Sequence, residues 1–534
     1  MPSLLYAPDP VAVFRGLSPV PGELEVEVVV HDGSVTLPSF GEFLLIQMSE
    51  VEAAVGRVTH CRPCGPVSSP QGENYLAELG KAGAAMPDRV RQLILRFTLR
   101  LQLLGRLKVK DGRLVFEVGL RSLAQVGAPV CRPTAAALRE LCNVRLDDPN
   151  TDGLPRYKAP FGHLALGDVV NEQVEIQFDI NRLKERRSFV FARAGYGKSN
   201  LMKYLIAQLY RSDPKVGLLI IDPEGEYALP SAQVPGLASL PGLRGKLRYY
   251  SQRPAPPDFT DCYAGSVFLN FKHFTGREIV TAFTPSEKQL MVWANWVKSA
   301  KPKEWAALVN LFARKDWTPM AKDVREALGK PPTDRKEDVV ADAVVNNLAH
   351  VVSLIHREES TIASTLLEDL QEGRIVIVDT SAISSESARA ITELLLVKVF
   401  QHNVNTFTDE RRGKPVPTIA VFEEAQTTLG HHHFSENSIF VRWVKEGRKY
   451  GLGSIMITQQ PGAISDQILS QGDNFFVMHL LNQGDLEALQ RVNAHYGPDI
   501  LRQLRSEPIK GNCYFWSAPD QPYVISARVH NFDK

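Results

Sequence analysis

The chain has 534 residues, too many for one hydrophobic core, so about two to four domains are expected. Its 44% hydrophobic and 23% charged residues are ordinary for a soluble globular protein, and a net charge of +1 creates no global field marking nucleic acid or membrane as the partner, though a cleft or ring can still concentrate basic charge locally. Six cysteines in a chain of this size exclude a disulfide framework and point to a reducing compartment.

The N-terminus, "MPSLLYAPDPVAVF", lacks a basic stretch followed by an apolar one, so no signal peptide is expected. No uncharged apolar run approaches the ~20 residues that cross a bilayer, so a cytoplasmic protein without a membrane partner is expected. Residues 1–135 read as β-rich: "ELEVEVVV", "GEFLLIQM", "AAVGRVTHC" and "GRLVFEVG" are short runs punctuated by Gly, Pro, Asp and Ser. That pattern favours a small barrel or sandwich. The stretch "DRVRQLILRFTLRLQLLG" reads as helical, although its "LRFTLRLQLL" portion fits a strand equally well. Residues 136–163 include "RLDDPNTDGLPRYKAPFG" and read as a linker.

From residue 164 strands and helices alternate. "RSFVFA" is a strand, "KSNLMKYLIAQLYR" a helix and "GLLIIDPEGEY" a strand ending in a polar turn, within a first core segment over 164–273. Residues 274–372 carry helical patterns and read as an insertion. A second core segment, 373–511, resumes with "GRIVIVDTS", "SARAITELLLVKVFQHNV", "TIAVFEEA", "NSIFVRWVKEGRKYG", "GSIMITQQ" and "NFFVMHL", and 512–534 is a C-terminal strand or brace. Buried apolar strands between helices predict an α/β fold with a parallel, doubly wound sheet.

Two stretches carry chemistry. In "FVFARAGYGKSN" a strand ends, a glycine-bearing loop follows, and Lys198 and Ser199 open a helix. This is the P-loop pattern, in which backbone N–H groups and a helix N-terminus cradle phosphate oxygens. Ala194, Gly195, Tyr196, Gly197, Lys198, Ser199 and Asn200 would hold ATP, with Lys198 reaching the β- and γ-phosphates and Ser199 ligating Mg²⁺. Ala192 stands where the pattern usually has its first glycine. In "TIAVFEEAQTTLG" a buried strand ends in adjacent carboxylates, which repel each other and resist desolvation unless a cation or reaction uses them. Glu423 would help to hold Mg²⁺ where Asp is usual, and Glu424 would orient and polarise the attacking water.

"ARAGYGKS", "DPEGEY", "VFEEAQ", "KEGRKYG" and "ITQQP", in this order over residues 164–512, resemble the HerA branch of the HerA/FtsK ATPases. The resemblance implies a RecA-like P-loop ATPase core with a helical insertion, preceded by a small β-barrel. It implies a homohexameric ring that moves double-stranded DNA using ATP, with a NurA-like nuclease or a defence effector as partner. By the same resemblance Gln459 is the polar sensor of the γ-phosphate and Arg448 stabilises transferred-phosphoryl charge, within its own subunit or across a subunit boundary. Asp222 and Glu226 would sit near the nucleotide, or else serve as turn or cap residues. The competing reading is a ring-shaped scaffold and nucleotide switch that assembles an effector without processive translocation. A protein or secretion motor is a further alternative. "HCRPC" reads as a reduced surface loop rather than a zinc site, "HHH" at 431–433 as an exposed loop, and "DERRGK" as a solvated turn.

Overall fold

The computed structural model describes all residues except 1–2, 30–36, 88–89, 91–95, 120–121, 145, 147–155, 213–214, 231–233, 285–286, 315–318, 332–334, 432–434 and 533–534. Most of "RLDDPNTDGLPR", the front of "DRVRQLILRF" and the second and third histidines of "HHH" lie outside the described residues. The chain forms two compact units, Met1–Asp179 with Asn493–His530, and Ile180–Val492 with Asn531–Lys534.

The first unit begins with strands β1 (Tyr6–Leu17), β2 (Glu23–Val29), β3 (Phe43–Gln47), β4 (Glu52–Cys64), β5 (Arg96–Lys110), β6 (Arg113–Val118) and β7 (Pro129–Pro133). They form an antiparallel sheet in the order β2-β1-β7-β3-β4-β5-β6, and β2 pairs with β5 as well as β1. Period-two alternation drives it. In β2, Leu24, Val26 and Val28 enter the core beside Phe14, Ile46, Leu99 and Leu101, while Glu23, Glu25 and Glu27 alternate with them. Glu27 meets Arg15 at 3.2 Å and Arg96 at 3.3 Å.

The ambiguous "LRFTLRLQLL" belongs to β5. Its buried Leu99 and Leu101 are two residues apart, a spacing that serves a sheet face and not a helix face. "HCRPC" runs along the end of β4 rather than a loop, with Cys61 and Cys64 both half-buried. Helix α1 (Pro70–Ala82) is capped by Ser69 and α2 (Ala135–Cys142) by Thr134, whose hydroxyl accepts from Ala137 N at 3.1 Å. Strands β8 (Lys158–Leu166) and β9 (Val169–Asp179) form an antiparallel pair.

The second unit holds β10 (Arg187–Phe191), helix α3 (Lys198–Arg211), β11 (Gly217–Asp222), β12 (Leu247–Tyr250), β13 (Tyr263–Gly265), β14 (Ile375–Asp379), β15 (Thr418–Phe422), β16 (Leu452–Thr458) and β17 (Asn474–Val477). Their order is β13-β12-β14-β11-β15-β16-β10-β17, with every neighbouring pair parallel. Phe189, Val190, Leu219, Ile220, Val376, Ile377, Ala420, Val421 and Ile457 are fully buried, as strands covered on both faces require. All their carboxyl ends therefore open on one edge.

Between β13 and β14 the described residues include helices α4 (Gly276–Phe283), α5 (Val292–Ser299), α6 (Pro302–Phe312), α7 (Ala321–Ala327), α8 (Arg335–Ile355) and α9 (Ile362–Gln371). Within α8, Asp338–Ile355 is long and apolar enough to cross a membrane by length and composition. Its buried positions, Ala341, Val344, Leu348, Val352 and Ile355, recur at helical spacing on one face. That face packs on neighbouring helices, including α5, α6 and α7. Helices α10 (Ser385–Thr408) and α11 (Ile439–Glu446) flank β15, and α12 (Gln483–Val492) follows β17. The chain then returns to the first unit through α13 (Pro498–Ser506), β18 (Asn512–Ser517) and β19 (Ile525–Val529), and β19 pairs antiparallel with β8 and β18.

Candidate active site

The loop after β10 turns at Gly195 (φ +81°) and Gly197 (φ +105°), conformations that a Cβ disfavours. Its start is pinned to the sheet: Ala192 N donates to Thr458 O at 3.4 Å and Arg193 N to His479 O at 3.3 Å. Ala192, at the position of the usual glycine, is fully buried. Helix α3 then begins at Lys198 with Gly197 as its cap, so its first amides add the partial positive charge of a helix N-terminus.

Lys198 Nζ lies 3.3 Å from Glu423 Oε2 and 3.4 Å from Glu424 Oε1. Consecutive strand residues normally face opposite sides. Both glutamates reach one ammonium because the chain leaves β15 at Phe422 and Glu424 adopts a left-handed backbone, φ +48°. Burial works against the Lys198 ammonium, but Glu423 and Glu424 outweigh it and hold its pKa above the ordinary value. The two carboxylates diverge because their surroundings differ. Glu423, with its side chain only 4% exposed, is pushed up to about 7 by burial, against the pull of Lys198 and the Tyr227 hydroxyl that donates to it. Burial also pushes Glu424 up, yet hydrogen bonds from Gln426, Gln459 and Lys198 prevail and hold it below the usual carboxylate range.

Gln459, just past β16, joins the loop to the carboxylates: its Oε1 accepts from Ala194 N at 3.2 Å and its Nε2 donates to Glu424 Oε1 at 3.2 Å. Ser199 Oγ donates to Glu226 Oε1 at 2.5 Å. Asp222 caps the turn that presents Glu226 and Tyr227, accepting from Gly225 N at 2.7 Å, Tyr227 N at 3.0 Å and Glu226 N at 3.3 Å. Burial pushes the Asp222 carboxyl up to about 6 against those amides. Asn200 points elsewhere, its Oδ1 accepting from Phe532 N at 2.9 Å. The hard oxygen donors of Ser199, Glu423 and Glu226 suit Mg²⁺, which takes only one or two protein oxygens when substrate phosphates and water complete its shell.

Arg448 is not part of this cluster. It is exposed on the turn Gly447–Tyr450, before β16, whereas Gln459 follows that strand. Its charge acts on Arg187 at the start of β10. Seven extended residues, roughly 20 Å, separate Arg448's edge of the sheet from the phosphate loop.

Three participants escaped the sequence reading. Tyr227 and Gln426 sit inside quoted motifs, but their bonds to Glu423 and Glu424 depend on three-dimensional placement. Asp379, fully buried at the end of β14 beside Asp222, accepts from Tyr249 at 2.6 Å and Ser251 at 2.7 Å. An aspartate closing the apolar run "IVIVD" was the available signal.

Residues 164–399 match the family model described as helicase HerA, central domain. A DNA double-strand break repair helicase HerA of Saccharolobus solfataricus is 22% identical over 359 residues, covering 65% of this chain and 64% of that protein. Its namesake from Sulfurisphaera tokodaii is 22% identical over 347 residues, covering 64% of each. The chain thus matches just under two thirds of these relatives' length. The solved structure of plasmid coupling protein TrwB with a non-hydrolysable GTP analogue aligns at a TM-score of 0.42 and 14% identity, covering 71% of this chain and 96% of that one. The family match takes in the phosphate loop, the helical region and Asp379, and the curated relatives agree with it: over this part of its length the chain is similar to the HerA helicases.

Proposed function

We propose that this protein is an ATP-driven motor that moves along double-stranded DNA as a homohexameric ring, with a RecA-like core and a small N-terminal barrel. The observation that carries the reading is the placement of Lys198 between Glu423 and Glu424, beside a glycine-turned loop at a helix N-terminus. A cation set between two carboxylates is ready to exchange them for phosphate. Lys198 then holds the β- and γ-phosphates, and loop amides with the α3 N-terminus take the remaining charge. Ser199 and Glu423 hold Mg²⁺, with Glu226 beside them, and the metal when bound neutralises phosphate charge. Glu424 orients the attacking water, and Gln459 reports phosphate occupancy by exchanging its bonds to Ala194 and Glu424. Arg448, remote from its own loop, serves the nucleotide of a neighbouring subunit.

The pairing of β2 with β5 supports the barrel reading, since it returns the ladder to its starting strand. In this proposal the barrel docks a nuclease or other effector, which supplies any cutting activity. The relatives' names, DNA double-strand break repair helicases, favour DNA-end processing over phage defence. Phosphate release from ATP, measured with and without linear double-stranded DNA, tests the reading. Hydrolysis stimulated several-fold by DNA is expected. Absence of hydrolysis, or a rate indifferent to DNA, would overturn it.

A further inference from the structure

We propose that Gln426 is a positioning residue that anchors one oxygen of the Glu424 carboxylate and leaves the other to act on the attacking water. The proposal rests on the reading of Glu424 as the water-orienting group. Hydrogen-bond accounting carries it. The Thr458 hydroxyl accepts from Gln460 N at 2.9 Å and donates its own proton to Gln426 Oε1 at 2.6 Å. With its oxygen committed to Thr458, the Gln426 amide must present its NH₂ group to Glu424 Oε2, 2.6 Å away. Thr458 is fully buried at the end of β16, whose parallel register with β15 sets it beside the turn that carries Gln426. The relay therefore begins from a rigid point.

The second oxygen of Glu424 is held differently. Oε1 faces Lys198 Nζ at 3.4 Å and Gln459 Nε2 at 3.2 Å. Both partners belong to the phosphate side, since Lys198 opens α3 and Gln459 also accepts from Ala194 N. A triphosphate in the loop competes for the Lys198 charge and the Ala194 amide, which loosens both contacts on Oε1. Gln426 is tied to Thr458 instead, so its hold on Oε2 persists. Oε1 then takes a proton from the water whose oxygen bonds to the γ-phosphorus. The bond from that phosphorus to the β–γ bridging oxygen breaks, ADP leaves with the electron pair, and the proton passes on to solvent.

The test uses the full chain and compares Gln426→Met, Thr458→Val, Thr458→Ser, the Gln426→Met/Thr458→Val double variant and Glu424→Gln. The readouts are kcat, KM for ATP, and calorimetric affinity for a non-hydrolysable ATP analogue. Gln426→Met and Thr458→Val should each lower kcat roughly tenfold, with KM and analogue affinity within about twofold of native. Thr458→Ser, which keeps the hydroxyl, should stay within about twofold of the native rate, and the double variant should be no slower than the slower single one. A native rate in Gln426→Met, a matching loss of analogue affinity, a serine variant as slow as the valine variant, or multiplied losses in the double variant would overturn the proposal. Should Gln426→Met fail to fold, the serine and valine pair decides alone. Activity in Glu424→Gln would remove the underlying reading, whereas an inactive Glu424→Gln beside a native-rate Gln426→Met would remove only the positioning role.

Discussion

Arg448 and Gln459 bracket the same strand from opposite ends. Arg448 lies on the turn that leads into β16 and Gln459 follows its last residue, so a single subunit keeps the arginine away from its own phosphate loop. In the proposed ring, an arginine serving catalysis from there acts on a neighbouring subunit's nucleotide. Arg448→Ala and Lys198→Ala subunits should each be inactive alone, and mixed rings should recover partial ATP hydrolysis at interfaces that pair an intact Lys198 with an intact Arg448. Mixed rings confirmed by mass that recover no activity would count against action across the interface. A ring carrying one Arg448→Ala subunit should lose one pocket's turnover rather than all.

Lys198→Ala removes the only group that touches both Glu423 and Glu424 at the phosphate loop among the described residues. Phosphate loses its cationic partner and meets two carboxylates in its place. ATP affinity should fall about 10- to 100-fold, as expected for a charged hydrogen bond lost in a partly desolvated site. Equilibrium binding of a fluorescent nucleotide measures it, and native affinity would remove Lys198 from the phosphate site.

Glu423→Gln should act through the metal. The amide keeps the shape but withdraws the charge, so half-maximal turnover should require several-fold more Mg²⁺, while nucleotide binding in the presence of a chelator changes little. Titrating Mg²⁺ against rate in Glu423→Gln and Glu424→Gln distinguishes the two carboxylates. A Mg²⁺ requirement that shifts only in Glu424→Gln would reverse their roles.

The sequence displayed this cluster of residues because its parts are local. "AGYGKSN", "FEEAQ" and "TQQ" each place their functional groups within a few residues of a strand end, where a parallel sheet must deliver them to one edge. The supporting contacts were hidden for the opposite reason. Tyr227 meets Glu423 across 196 residues of sequence, and Thr458 meets Gln426 across 32, both set by strand order. Asp222 was legible as a candidate, but its three amide bonds show a turn-capping task that spacing alone left open. In the first unit, β5 was ambiguous because apolar runs such as "LQLL" suit either element. Its pairing with β2, β4 and β6 decides in favour of a strand.

The first unit also holds a buried ion pair. Arg57 Nη2 lies 3.1 Å from Asp499 Oδ2, with side chains 4% and 9% exposed, and Arg57 donates further to Val524 O at 2.8 Å and Gln102 Oε1 at 2.9 Å. Arg57→Met leaves Asp499 desolvated without its counter-charge and should cost about 3–5 kcal/mol, whereas an Arg57→Met/Asp499→Leu double variant should regain much of that loss. Urea denaturation followed by tryptophan fluorescence reads both. A single variant as stable as the native chain would show that the pair is dispensable.

In the proposed function, hydrolysis at the Lys198–Glu424 site drives movement along duplex DNA, and displacement of a triplex-forming strand reads that movement directly. The native protein with ATP should strip the third strand from a linear duplex. Glu424→Gln, still binding ATP, should leave it in place, as should the native protein with a non-hydrolysable analogue. Intact triplex under native protein that is hydrolysing ATP would contradict the account and favour a nucleotide-switched scaffold. Displacement by Glu424→Gln at the native rate would contradict the assignment of the site itself.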